Sequence, residues 1–195
     1  MRMRKISLSG AFSAAVLMMA AAVGFGVVLP ARGMDRLNPK TADNSLAEQV
    51  RHQLVMLPYF GVFDDLQYEV KNGGEVVLTG EVTRPTLKSD AEKAVSRVAG
   101  VEKVDDNIQV LPLSSFDDRI RMATFRAVYN NDQLDRYALQ AVPPIHIIVD
   151  NGRVTLVGVV AKQADKDVAG MMANRVFGVF SVTNNLTVES KKGKS

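Results

Sequence analysis

The chain has no cysteine and no tryptophan, and only two histidines, His52 and His146. The missing cysteine excludes disulfides, Cys-ligated zinc, iron–sulfur clusters and thiol nucleophiles together. It also excludes a lipid anchor, because there is no thiol to acylate. Two imidazoles leave little for metal ligation or acid–base chemistry. Clustered positive charge is scarce too. The formal net charge is +3, but it sits at the two ends. Residues 1–44 carry six basic and two acidic side chains, and 45–113 carry seven and eleven. Residues 114–189 balance at eight and eight, and Lys191, Lys192 and Lys194 supply the rest. A general DNA-binding surface needs Lys and Arg along one face, so no nucleic-acid partner is expected.

What the N-terminus does have is an export pattern. Met1-Arg-Met-Arg-Lys5 is positive, and an apolar run follows from about Ala11 to Leu29. Pro30, Ala31, Arg32 and Gly33 then lead into polar sequence. These are the parts of a secretory signal peptide, residues 1–33, cut before Met34. The apolar run is about 19 residues, close to the roughly 20 that span a bilayer, so an uncleaved anchor is the alternative. No twin-arginine pair is present. Cleavage would leave a chain near −1, destined for the periplasm. Residues 34–44 lack an apolar period and read as a linker.

The rest of the chain repeats. A shift of 78 positions aligns 74–110 with 152–188 without a gap, and 14 of the 37 pairs are identical. They include Val76/Val154, Leu78/Leu156, Gly80/Gly158, Ala91/Ala169, Arg97/Arg175, Gly100/Gly178 and Asn107/Asn185. Self-similarity at that level identifies two copies of one unit. Upstream the offset falls by four (Leu46/Ile120, Leu54/Val128), which places about four extra residues of copy two within 132–144.

Each copy reads helix–strand–strand–helix–strand. Copy one opens on Ser45-Leu-Ala-Glu48, a capping-box pattern, with Leu46, Val50, Leu54 and Leu57 at helical spacing and a stop near Pro58. Leu66, Tyr68 and Val70 alternate, and Asn72-Gly73-Gly74 turns the chain. Asn151-Gly152 between β-branched runs is the stronger hairpin signal of copy two. Pro85 fits a helix first turn, and Leu87, Ala91, Ala94, Val95 and Val98 form its apolar stripe. The counterparts are Ala169, Met172, Ala173 and Val176. Gly100 and Gly178 stand where a helix exit needs a left-handed residue. The predicted fold is α+β: two tandem αββαβ modules, each a three-stranded mixed sheet with two helices on one face. Module one spans 45–111, a linker 112–116, module two 117–189 and a basic tail 190–195.

Val76-Val-Leu-Thr-Gly80-Glu-Val82 with Gly100-Val-Glu-Lys-Val104-Asp-Asp-Asn107-Ile-Gln-Val110 resembles the BON domain family of bacterial envelope proteins. The second copy reads Val154-Thr-Leu-Val-Gly158-Val-Val160 with Gly178-Val-Phe-Ser-Val182-Thr-Asn-Asn185-Leu-Thr-Val188. The likeness covers 45–189. It implies phospholipid association, envelope maintenance under osmotic or other stress and, for some members, holdase activity toward periplasmic clients. It carries over no catalytic residue, and with so few ligating side chains no cofactor and no metal are expected.

Individual residues agree with a binding module better than with an enzyme. Gly80, Gly100, Gly158 and Gly178 read as structural glycines, the first and third where a Cβ would clash. His146, between Ile145 and Ile147, reads as a half-exposed strand residue. Asp64-Asp65 and Asp117-Asp118 read as caps or solvated loop acids. Copy two alone has Met171, Met172, Phe177 and Phe180 where copy one has Lys93, Ala94, Ala99 and Glu102. With Lys166 and Arg175 these make an apolar helix end rimmed by positive charge, suited to anionic headgroups and the acyl boundary. The same side chains suit packing against copy one, an envelope protein or a second protomer equally well. The expected partner is a phospholipid membrane surface.

Overall fold

The computed structural model describes residues 39–140 and 142–189, with side chains from Asn44 onward, all within one compact unit. The expected signal segment 1–33 and the basic tail 190–195 lie outside the described residues. Module one runs α1 (Pro39–Val55), β1 (Asp65–Lys71), β2 (Glu75–Val82), α2 (Pro85–Ser96), β3 (Lys103–Asp106) and β4 (Gln109–Val110). Module two runs α3 (Ser115–Tyr129), a 3-10 turn (Asp135–Leu139), β5 (Ile145–Asp150), β6 (Arg153–Val160), α4 (Gln163–Asn174) and β7 (Ser181–Val188).

In both modules the hairpin is antiparallel and the last strand returns parallel to the hairpin's second strand. Strand order is therefore β1-β2-β3 with β4 continuing along β2, and β5-β6-β7. The turn chemistry is the expected one: Asn151 and Gly152 both have positive φ, +50° and +75°. Each module has its own core. Val50, Leu54, Val76, Leu78, Val82, Leu87, Ala91 and Val95 fill the first. Ile120, Val128, Ile145, Ile147, Val154, Leu156, Ala169 and Leu186 fill the second. The alternation of period two in the strands and the helical stripes meet there, as the patterns require.

Several boundaries differ from the reading of the sequence. α1 starts at Pro39, inside the stretch taken as linker, with proline at the tolerated first position. Ser45 and Glu48 therefore sit inside a helix and not at its cap; Glu48 pairs with Arg51 at 3.6 Å on the exposed face. α3 starts at Ser115, and the Ser114 hydroxyl accepts the Asp117 N–H at 3.2 Å. The last strand of module one is broken between β3 and β4. There the Asp106 carboxylate accepts the Ile108 N–H at 2.9 Å and the Lys88 ammonium donates to the Ile108 carbonyl at 2.6 Å.

The extra residues of copy two form the 3-10 turn, and one carboxylate ties it down. Asp165 at the start of α4 is 1% exposed and accepts from Gln133 (2.9 Å), the Tyr137 hydroxyl (2.7 Å) and the Arg136 guanidinium. Burial by itself would raise this carboxyl. The Gln133 and Tyr137 hydrogen bonds and the Arg136 charge outweigh it and hold the group below its usual range. Nearby, the buried Tyr129 hydroxyl donates to the Ile145 carbonyl at 2.6 Å and accepts its N–H at 3.2 Å.

The modules are joined through the loop after α1. The Ile147 N–H donates to the Val62 carbonyl at 2.8 Å, and Val62 and Phe63 pack against the second core. Phe60 stacks on His146 at 5.5 Å, and Phe63 meets Phe125 edge-on at 6.1 Å. Asp64 fixes this loop. It is buried and accepts from the Thr83 N–H (2.7 Å), the Thr83 hydroxyl (2.8 Å) and the Gly61 N–H (3.2 Å). Asp117 does similar work inside module two, accepting the Asn151 and Gly152 N–H groups at 3.1 and 2.8 Å. Both carboxylates are anchors for backbone, not solvated loop acids.

Candidate functional site

Among the described residues the largest exposed apolar side chains of module two gather at one end of its sheet. The chain leaves α4 through Arg175 and Val176, turns at Gly178 (φ +90°) and enters β7. The turn leaves Phe177 100% and Phe180 88% exposed. A third ring joins them. A Cβ built on Gly152 would lie 3.3 Å from Phe116 Cε1 and 3.8 Å from the Phe180 Cβ. One built on Gly178 would lie 3.5 Å from Phe116 Cζ. Phe116 thus rests across two glycines, between the hairpin turn and the α4–β7 loop, and is 45% exposed. The Arg119 guanidinium lies 5.8 Å from its ring centre. Exposed aromatic surface in so small an area costs solubility without return unless something covers it.

The structure brings some of the sequence-predicted residues together and separates others. Phe177 and Phe180 share the tip with the exposed Arg175, and Met171 is half exposed on the last turns of α4. Met172 is partly buried and packs against the second core. Lys166 lies nine residues before Arg175 on α4, about 13 Å along the axis, so it stands apart from the tip. Its carbonyl accepts the Asn184 side-chain amide at 2.7 Å. Phe116 and Arg119 are the residues sequence reasoning missed. Phe116 fell within the supposed linker, and no periodic signal marks a ring that packs on glycines distant in sequence.

The four glycines have clear structural work. Gly80 and Gly158 have φ of +118° and +128°. A Cβ there would lie 2.2 Å from the Asp65 carbonyl oxygen and 1.9 Å from that of Pro144. Gly100 and Gly178 take the left-handed exits of α2 and α4 at +95° and +90°.

His146 has a buried Nδ1 without a hydrogen-bond partner in a half-buried ring. Among the described residues there is no grouping of three metal-ligating side chains. No described helix is long and apolar enough to cross a membrane.

Two small α/β sheets, each with its own core, make this a tandem-module protein. The BON domain model matches residues 42–112 and again 126–190, so the chain belongs to the BON domain family. That domain is a non-catalytic binding domain, and the family association is with phospholipid and the envelope. Comparison with curated proteins gives no match. Among solved structures, the chain is similar to the C-terminal domain of CdsD, a structural protein of the type III secretion system of Chlamydia trachomatis. That match has 16% identity over 74% of this chain and 98% of that one, with a TM-score of 0.27. A second CdsD structure gives 14% identity, 74% and 92% coverage, and a TM-score of 0.26.

Proposed function

We propose that this is an exported, periplasm-facing protein whose second module associates with anionic phospholipid through the Phe116/Phe177/Phe180 tip, in envelope maintenance under osmotic or other stress. The observation that carries the reading is the pair of fully presented rings at 177 and 180, beside Arg175 and Arg119. The matching positions of copy one hold Ala99 and Glu102. Aromatic side chains enter the boundary between headgroup and acyl chain while arginines stay with the phosphates. Burying one phenylalanine side chain contributes about 1.5–3 kcal/mol, and each nearby basic residue adds about 1 kcal/mol on an anionic surface.

Flotation of residues 34–195 with vesicles tests it. Phosphatidylglycerol vesicles should carry the protein up and phosphatidylcholine vesicles should carry far less. The Phe177→Ala/Phe180→Glu variant should lose at least tenfold in partitioning. Equal flotation with neutral and anionic vesicles, or none, contradicts the proposal.

A further inference from the structure

Each sheet turns an open face away from its helices. That of module one is charged and internally paired: Lys103 meets Glu75 at 3.7 Å and Asp105 at 2.6 Å, and Lys71 meets Glu75 at 3.8 Å. On module two the position of Glu75 is Arg153, which pairs with Asp150 at 3.6 Å; farther along the same face stand Thr155, Val157 and Val159 on β6 and Asn185 and Thr187 on β7. These five uncharged side chains floor a cleft of about 930 Å³ between the modules.

One wall of the cleft is the outer edge of β1. Asp65, Leu66, Gln67 and Tyr68 all line it. Side chains alternate along a strand, and lining by four successive residues fits a strand that presents its edge. Among the described residues β1 pairs with β2 alone, and an edge strand directs unpaired N–H and C=O groups outward. The C-terminal end of α1, with Leu54 and Val55, closes the apolar side.

The charge in the cleft is unbalanced. Asp65 and Glu81 are cross-strand neighbours, and neither has a lysine or arginine partner among the described residues. Burial raises the Asp65 carboxyl, against a hydrogen bond from Gln67 and the charge of His146. Burial also raises Glu81, and Asp150 and Asp65 push it the same way. Arg51 reaches the rim but is paired with Glu48.

We propose that this cleft binds an extended polypeptide segment of a partner protein, which adds as a strand to the β1 edge and brings a lysine or arginine to Asp65 and Glu81. Backbone hydrogen bonds to the free edge supply the attraction, and alternate apolar side chains meet Val157 and Val159 on one side and Leu54 and Val55 on the other. The site is independent of the membrane reading. Thr187 in the cleft lies seven residues along an extended chain from Phe180, roughly 23 Å away at the usual strand rise. Tip and cleft can be occupied together.

The test is fluorescence anisotropy with a labelled, end-blocked peptide, Lys-Val-Ser-Ile-Lys-Val-Ser, added to the chain from Met34 onward. Saturable binding is expected. It should weaken at least tenfold when both lysines become glutamate, and equally when alternate backbone amides are N-methylated, which removes donors and keeps side chains. Glu81→Gln and Val157→Lys should each weaken it, while Phe177→Ala should leave it unchanged. No binding would overturn the proposal, as would equal binding of the glutamate or N-methylated peptide. Binding that emerges only after removal of residues 190–195 would assign the cleft to the chain's own lysine tail and also overturn it.

Discussion

Replacing Gly158 with alanine tests the claim that the repeated glycines are demanded by strand packing. At φ +128° an L side chain is strained, which costs about 1–3 kcal/mol. The new Cβ would lie 1.9 Å from the Pro144 carbonyl oxygen and 3.1 Å from its carbon, both backbone atoms. Separating them to ordinary contact moves the start of β5 by more than about 1 Å, since packed interiors yield little. That shift breaks the Val159 N–H to Pro144 carbonyl bond, now 3.3 Å, for about another 1 kcal/mol. The expected cost is about 2–4 kcal/mol, a fall of roughly 8–32 °C in the second module's melting temperature. Scanning calorimetry with far-UV circular dichroism reads it. Gly80→Ala, with its Cβ 2.2 Å from the Asp65 carbonyl oxygen, should act similarly on module one. An alanine at 158 that leaves stability within about 1 kcal/mol and abolishes ligand binding would refute the reasoning, because it would make the glycine a contact.

Other outcomes follow from the buried carboxylates. Asp117→Asn weakens two charge-assisted bonds that hold the Asn151-Gly152 turn; a loss of about 2–4 kcal/mol in urea unfolding is expected, and a loss below 0.5 kcal/mol would contradict that role. The Asp165 carboxyl is held below its ordinary value, so its contribution is full above the unfolded pKa of about 3.9 and fades as pH falls through the lower folded value. Asp165→Asn should therefore destabilise the protein at pH 7, and its difference from the parent should shrink as pH falls below about 3.9 in unfolding curves taken across pH. A difference that persists unchanged in acid would assign the effect to packing instead.

Much of this fold is written in local sequence. Asn151-Gly152 sets its own turn because both residues accept positive φ, and the Leu87/Ala91/Val95 stripe has one face to bury. Matching copies made the strand order readable twice, so each set of positions checked the other. Contacts between parts distant in the chain were not readable. Ser45 and Glu48 satisfy a capping-box pattern and an exposed helix face equally, and nothing local shows that Pro39 begins the helix. Asp64 and Asp117 look like surface acids until Thr83 and the hairpin turn arrive to donate to them. In the candidate site, Phe177 and Phe180 stood out because copy one lacks them. Phe116 did not, since its place depends on the empty space above Gly152 and Gly178. The cleft between the modules required the Val62–Ile147 junction, which carries no motif.

The protein's lack of tryptophan makes its central claim directly measurable. Phe177→Trp introduces a single indole at the tip, and its emission should shift to the blue with phosphatidylglycerol vesicles and stay unshifted with phosphatidylcholine vesicles. Acyl-chain quenchers placed just below the headgroups should quench it. An indole that remains solvent-exposed in the presence of anionic vesicles that bind the protein would show that the tip is not the membrane contact.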